Sequence, residues 1–305
     1  MDSSMTKKER VFYNNILLKI HDEIYKKMNQ NYIDVFLCGG ASSKNYTSVR
    51  DKIRDGLKGY EHIRILYPED LFIEMLNKNK DYDLLSLERF LANNCDIICI
   101  VCESAGSLVE LGAFTNNDNT VDKVIALIEE NRKRQKSFIM LGPIKILKNK
   151  GKERVIFYNK ELDGIHEKLK KTFEKNKIMK IMNKKEGNYK PINTLIGLYY
   201  FVPLILYFFK KIDMEVLTVS LKSLFNNKGY TLEDFDTLFR PTLKLLYKDK
   251  YISKNIIEGR TVYTLTENGY KMINKLLGKI DITAKNALYD RIRFGIIKNE
   301  YYRSS

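Results

Sequence analysis

An α/β domain built on a parallel sheet, followed by a smaller domain of helices and one hairpin, is the fold class this sequence predicts. Three observations carry that prediction. Short apolar, β-branched runs alternate with helical segments over residues 31–158, the pattern of strands buried on both faces of a parallel sheet. Beyond residue 190 the pattern turns helical, with a single turn-linked pair of extended runs. At 305 residues and 44% apolar composition, the chain can bury one ordinary core and a second small one.

In the leading segment, residues 1–30, Val11, Ile16, Leu17, Ile20, Ile24 and Tyr25 recur at helical spacing among Lys and Glu, predicting an amphipathic helix over 6–28. After a polar break at 29–31, Ile33–Cys38 predicts the first strand. Gly39-Gly40 ends it in a turn, and a helix over 47–57 follows. Ile63–Tyr67 predicts the second strand, leading into Pro68-Glu69-Asp70 and helices over 71–77 and 84–92. Asp96–Cys102 predicts the third strand, Lys123–Glu129 the fourth and Arg154–Tyr158 the fifth, with a helix between the third and fourth. This alternation predicts a Rossmann-like parallel-sheet domain over residues 31–158.

Residues 159–190 are helical in pattern and strongly basic, and predict a connecting helix that ends near Gly187. Such a run is either a solvated face or a phosphate-binding one. Over residues 191–305, helical patterns at 195–211, 214–225 and 231–248 precede Tyr251-Ile252, a turn at Glu258-Gly259, the run Thr261–Leu265 and a helix opened by Thr266. Three helices and a hairpin predict a C-terminal winged-helix domain. Its third helix, begun by Thr231 with Asp234 in capping-box position, would enter a groove, with Arg240, Lys244, Lys248 and the wing residue Arg260 supplying charge to nucleic acid. Such domains also bind proteins, and that reading stays open.

The net charge of +15 and a pI near 9.4 point to a polyanionic partner, although enrichment in Lys, Asn, Ile and Tyr without Trp is also what AT-rich coding produces. Arg132, Lys133, Arg134 and Lys136 form a second basic cluster. Cys38, Cys95, Cys99 and Cys102 fall in or beside strands without zinc-site spacing, so reduced thiols and no metal are expected. His21, His62 and His166 are isolated, which suits packing or surface roles. The first ten residues lack a signal-peptide core, so a cytoplasmic location is expected. Residues 194–209 carry no charge but are shorter than the roughly 20 residues of a spanning helix and are interrupted by Pro203. A buried core helix, and no membrane partner, is expected.

The segment from Val101 to Phe114 puts a carboxylate, Glu110, inside a helix that follows a buried strand. Two readings of it stand at this level. Ser107 and Glu110 fit the S-x-x-E capping box, a purely structural role. Equally, a carboxylate near a helix N-terminus, at the sheet edge where ligands bind, is kept ionised for work on a developing sugar cation. Glu88, eight residues before Asp96, would face the same crevice, and Asp70, directly after the second strand, is a third candidate. Gly39-Gly40 lets backbone approach a ligand, and Ser42 or Ser43 could donate to a phosphate, although a plain strand-to-helix turn would look the same. No third glycine completes a G-x-G-x-x-G fingerprint, which disfavours a dehydrogenase.

The segments FLCGG (36–40), YPEDLF (67–72), LLSLERFLANNCDIICI (84–100), ESAGSLVELGAFTNN (103–117) and SFIMLGPIKIL (137–147) resemble the effector proteins of type II retrons, specifically over residues 33–147 and by element order beyond. That resemblance implies a nucleoside 2-deoxyribosyltransferase-like domain joined to a winged helix. It implies Glu110 as the glutamate that attacks the sugar anomeric carbon and Glu88 as the carboxylate that contacts the nucleoside. Gly39, Gly40, Ser42, Asp70, Gly106, Ser107 and Asn116 would line the substrate. The family resemblance further implies a toxic anti-phage effector that cleaves NAD, as substrate and without a cofactor, to nicotinamide and ADP-ribose. Its implied partners are the retron reverse transcriptase and its multicopy single-stranded DNA (msDNA) with joined RNA, in a homo-oligomer or filament. Two other readings remain: a nucleotide-sensing winged-helix regulator without turnover, and a nucleoside deoxyribosyltransferase. An aromatic residue in the first loop and a polar residue lent by a neighbouring subunit, both found in the transferases, have no assigned counterpart.

Overall fold

The computed structural model describes residues 5–28, 32–60, 62–67, 94–183 and 190–304. The chain divides into two compact units, one of residues 32–186 and one of residues 1–31 with 187–305. It opens with α1 (Lys7–Lys19), continued through a π-helical stretch, Ile20–Tyr25, to Met28. The α/β unit then comprises β1 (Ile33–Cys38), α2 (Val49–Leu57), β2 (Ile63–Leu66), β3 (Ile97–Val101), α3 (Ala105–Thr115), β4 (Val124–Glu129), α4 (Phe138–Leu141), α5 (Pro143–Lys150), β5 (Val155–Tyr158) and α6 (Ile165–Asn183).

All five strands are parallel, in the order β2-β1-β3-β4-β5. The chain therefore moves one way across the sheet from β1 to β2 and the other way from β3 to β5. Because such crossovers are right-handed, the reversal sends α2 to one face and α3 and α5 to the other. The packing agrees, with α2 against α6 and α3 against α5. Val35, Leu37, Cys99, Val101, Ile125, Leu127 and Ile156 bury one face of the sheet in a single core with Ile53 and Leu57 of α2 and Leu169 and Phe173 of α6. The alternate residues Phe36, Ile98, Ile100, Ala126 and Ile128 are equally buried, which is why the strands read as unbroken apolar runs.

The basic stretch expected as a connector is, as far as Asn183, an outer helix of this unit. Ile165, Leu169 and Phe173 recur every four residues and enter the core, while Lys168, Lys171 and Lys175 stay exposed. All four cysteines are free and buried. The helices expected over 71–77 and 84–92, with Asp70 and Glu88, lie outside the described residues.

The second unit is built around α7 (Leu195–Phe209), followed by β6 (Lys211–Asp213), α8 (Met214–Asn227), α9 (Leu232–Lys248), β7 (Ile252–Ile257), β8 (Arg260–Leu265), α10 (Glu267–Gly278) and α11 (Lys285–Ser304). Every residue of α7 is buried, Pro203 included, so its lack of charge reflects a core position. Among the described residues no helix is long and apolar enough to cross a membrane. Thr194 caps α7 by accepting the Gly197 N–H at 3.0 Å. A Cβ at Gly197 would stand 2.0 Å from the Pro191 carbonyl oxygen, so close approach explains the glycine. The three strands form an antiparallel sheet in the order β6-β8-β7. Neither β6, too short to show alternation, nor α11 was expected from the sequence.

The leading helix belongs to this second unit. Asn14 Oδ1 accepts from Ser223 Oγ at 3.2 Å and from Asn227 Nδ2 at 2.6 Å, Lys228 Nζ reaches Asp22 at 2.7 Å, and Tyr13 stacks on Phe209. In its π-helical stretch His21 is fully buried, stacked on Tyr25 and edge-on to Phe201. Burial holds the imidazole below its usual value of 6.5. Asp22, 2.9 Å away, opposes the shift, while Lys228 and Lys26 reinforce it. The unfolded chain thus takes up this proton at a pH where the folded chain does not, and stability is lost as the pH falls below 6.5. Thermal unfolding between about pH 7.5 and 5.5 is expected to show that loss, and His21→Gln to flatten it. An equally steep fall in the variant would assign the effect elsewhere.

Candidate active site

The reversal of chain direction makes β1 and β3 neighbours, and ligands of doubly wound sheets bind beyond the carboxyl ends of such a pair. Here the loops leaving β1 and β3 meet on one side chain, Glu103. Its Oε1 accepts the backbone N–H of Gly40 at 3.1 Å and of Arg50 at 3.0 Å. Its Oε2 accepts the N–H of Val49 at 2.8 Å and faces the Tyr46 hydroxyl at 3.4 Å. Val49 and Arg50 open α2, so this carboxylate satisfies amides that have no partner within the helix. A Cβ on Gly39 would stand 3.0 Å from Arg50 Cβ, and one on Gly40 3.2 Å from Glu103 Cγ. Both glycines thus pack tightly against this pin, and a side chain at either would have to shift its neighbour by a few tenths of an ångström.

A second carboxylate, Asp51, organises the same loop from the α2 side. It accepts hydrogen bonds from the Ser42 and Tyr67 hydroxyls, and Arg50 lies 4.3 Å over the Tyr67 ring. Against the burial that would raise it, those two bonds, with Arg54 and Arg50 nearby, hold the Asp51 carboxyl below its usual range. Ser42 also accepts the Ser48 N–H at 3.0 Å, so its hydroxyl is spent on its own loop.

Glu110 is not the capping residue that the sequence allowed. Ser104 is the N-cap of α3: its Oγ accepts the Ser107 N–H at 3.2 Å, and Ser107 Oγ accepts the Ser104 N–H at 3.1 Å. The box is therefore S-x-x-S, one turn earlier, and Glu110 falls in the second turn. It is half-buried, with Oε2 buried. Its position next to the end of β3 shows in Cys102, whose thiol burial pushes up to about 12, with Arg132 opposing and Glu110 reinforcing. At the end of β5, burial likewise raises the Tyr158 hydroxyl, helped by Glu103, Glu129 and Cys102 and opposed by Arg132. The ends of β3 and β5 thus share Glu103, Glu110, Glu129, Tyr158 and Arg132.

Of the residues expected at the site, Gly39, Gly40, Gly106, Ser107 and Glu110 share this edge. Ser107 is buried and committed to the cap, while Gly106 is exposed in the first turn of α3. Asn116 caps the far end of α3, about 9 Å along the axis beyond Glu110, and is not brought to the crevice. Glu88 and Asp70 lie outside the described residues. Arg240, Lys244, Lys248 and Arg260 are all exposed on α9 and β8 of the second unit. Among the described residues no group of three or more His, Cys, Asp and Glu side chains is placed to hold a metal. Sequence reading missed Glu103, Tyr46, Asp51 and Tyr158, and noted Arg132 as part of a basic cluster without placing it at this edge. Of the four missed, only Glu103 carried a signal: a charge directly after a buried strand.

The reversal of chain direction between β1 and β3 makes this a doubly wound α/β unit, the class of sheet whose ligands bind beyond the carboxyl ends of such a strand pair. Residues 46–254, more than half of the chain, match the STM3845 retron effector protein family, and the chain belongs to that family. It is 40% identical over 124 residues to a proposed ribosyltransferase/DNA-binding protein of retron Ec86 from Escherichia coli, covering 41% of this chain and 40% of that protein. It is 30% identical over 136 residues to the corresponding protein of retron Ec73, also from Escherichia coli, covering 43% of each. The chain thus spans about two fifths of the length of the curated relatives it matches.

Proposed function

We propose that the α/β unit is an N-glycosidase that cleaves NAD to nicotinamide and ADP-ribose, as the toxic effector of a retron defence system. The observation that carries this reading is the position of Glu110. It is a half-buried carboxylate in the second turn of α3, at the reversal point of a parallel sheet, and the helix cap that would have explained it is made by Ser104 and Ser107. The ribosyltransferase names of the Ec86 and Ec73 relatives point to the same chemistry. Nicotinamide leaves with the electron pair of its glycosidic bond, which neutralises its ring nitrogen. The cation left on the ribose is met by the Glu110 carboxylate, and water completes hydrolysis. Glu88 is assigned to the ribose hydroxyls.

The second unit is assigned as a winged helix. Support comes from the order α7-β6-α8-α9-β7-β8 with β6 paired to β8, and from the exposed cations on α9 and β8. It would hold the effector in a restrained complex with the reverse transcriptase and msDNA. Incubating pure protein with NAD and, separately, with deoxynucleoside and free base, then chromatographing the products, tests the enzymatic reading. Nicotinamide and ADP-ribose are the expected products. Exchange of bases would make it a deoxyribosyltransferase, and no turnover, from either the free protein or the complex relieved of its restraint, would leave a nucleotide-binding regulator.

A further inference from the structure

The chemistry proposed at Glu110 uses the carboxylates of the crevice and leaves its cation without a role. Arg132 closes the 3₁₀ turn, Glu130–Arg132, that leaves the carboxyl end of β4. Glu129, the last residue of β4, stands in register with Tyr158 at the end of β5, and the Cys102 N–H just beyond β3 donates to the Leu127 carbonyl at 3.0 Å. The turn therefore opens where the ends of β3, β4 and β5 adjoin. From there the Arg132 charge acts on both the Cys102 thiol and the Tyr158 hydroxyl. The side chain is half-buried, unlike the exposed Lys133, Arg134 and Lys136 that follow it. Among the described residues its guanidinium makes no ion pair and no hydrogen bond.

A guanidinium partly withdrawn from water without a counter-ion is unfavourable unless a ligand supplies one. Glu103 does not, because three backbone amides occupy it. With Glu103, Glu110 and Glu129 at the same strand ends, a phosphate would be repelled unless it met a cation, and the planar fork of arginine matches phosphate oxygens two at a time. Spacing agrees with such a contact. β4 is the hydrogen-bonded neighbour of β3, about 5 Å away, and an anomeric carbon lies a similar distance from the phosphate on its own sugar. A sugar held at Glu110, on the helix after β3, has the reach to present that phosphate at the turn after β4. We propose that Arg132 binds the phosphate next to the reacting sugar and so restricts the crevice to nucleotides and dinucleotides, excluding free nucleosides. The assignment rests on the crevice being the glycosidase site proposed above, and it supplies a reason for NAD to be chosen over a nucleoside with the same leaving group.

Nicotinamide riboside carries the leaving group and ribose of NAD without a phosphate. The wild-type chain is expected to cleave NAD at least about ten-fold more efficiently, in kcat/KM, than nicotinamide riboside. Arg132→Gln is expected to raise KM for NAD about ten-fold or more at little changed kcat, while kcat/KM for nicotinamide riboside stays at its wild-type value. Arg132→Lys, which keeps the charge and loses the fork, should recover part of the affinity for NAD. A structural role would depress both substrates together, and that result, or a wild type indifferent to the phosphate, overturns the proposal. Calorimetric titration with ADP-ribose needs no turnover and separates the two readings. If NAD is not cleaved but Arg132→Gln weakens ADP-ribose binding about ten-fold, the glycosidase function fails and the phosphate site stands. If NAD is cleaved and both chains bind ADP-ribose equally, the reverse holds, and a wild type that does not bind ADP-ribose sinks the phosphate site outright. Should Arg132→Gln not fold, Arg132→Lys is read on the same ligands, where a loss confined to the phosphorylated ones supports the site and an equal loss on nicotinamide riboside overturns it.

Discussion

If the proposed glycosidase function holds, replacing Glu110 with Gln is expected to lower nicotinamide release from NAD by about a thousand-fold or more, the scale set by removing a preorganised charge-stabilising group, while thermal unfolding stays where it was. The substitution is nearly isosteric, so packing around the second turn of α3 is kept. What disappears, under that proposal, is the negative charge that would meet the ribose cation as nicotinamide departs. Stability is expected to hold because the two amides at the start of α3 are satisfied by Ser104 and Ser107. Product chromatography and calorimetry on the same preparation read both halves. A fall of several degrees in Tm with specific activity retained would return Glu110 to a structural role and end its assignment as the nucleophile.

The strands of the α/β unit were legible because a parallel strand buried on both faces has almost no freedom of composition. Ile33–Cys38, Ile97–Val101 and Val124–Glu129 lie within one or two residues of their expected bounds. The start of α3 was not legible, because a serine pair made the cap while the familiar S-x-x-E spacing matched Ser107 and Glu110 by coincidence. α6 was recognised as a helix but not as part of the sheet's cover, since its lysines masked the stripe Ile165, Leu169, Phe173. The association of α1 with α8 rests on contacts from Asn14 to Ser223 and Asn227 across more than 200 residues, beyond the reach of any local pattern. The same holds at the site. Gly39, Gly40 and Glu110 could be picked out by residue type and position, but the partners of Glu103 lie 53 to 63 residues away and become neighbours only when β1 pairs with β3.

Glu103 therefore carries the other large prediction. Both of its oxygens accept from fixed backbone donors, Oε1 from Gly40 and Arg50 and Oε2 from Val49. Gln offers a single acceptor oxygen, and whichever way its amide turns, an NH2 group faces at least one backbone N–H. Each amide so orphaned costs about 1–3 kcal/mol. Glu103→Gln is thus expected to lower Tm on the order of 5 °C. If the glycosidase reading holds, the damage to activity should take a different form from that of Glu110→Gln. Glu103 holds the Gly39-Gly40 loop against the β3 loop at the mouth of the crevice, so its loss should raise KM for NAD while kcat, set by Glu110, changes little. The two variants then dissociate, one losing kcat at unchanged stability and the other losing stability and substrate affinity at nearly unchanged kcat. Unaltered unfolding of Glu103→Gln would show that the three amides find other partners and that the pin is dispensable. A collapse of kcat with KM unchanged would instead mean that Glu103 itself acts on the reacting sugar, and the roles of the two carboxylates would have to be exchanged.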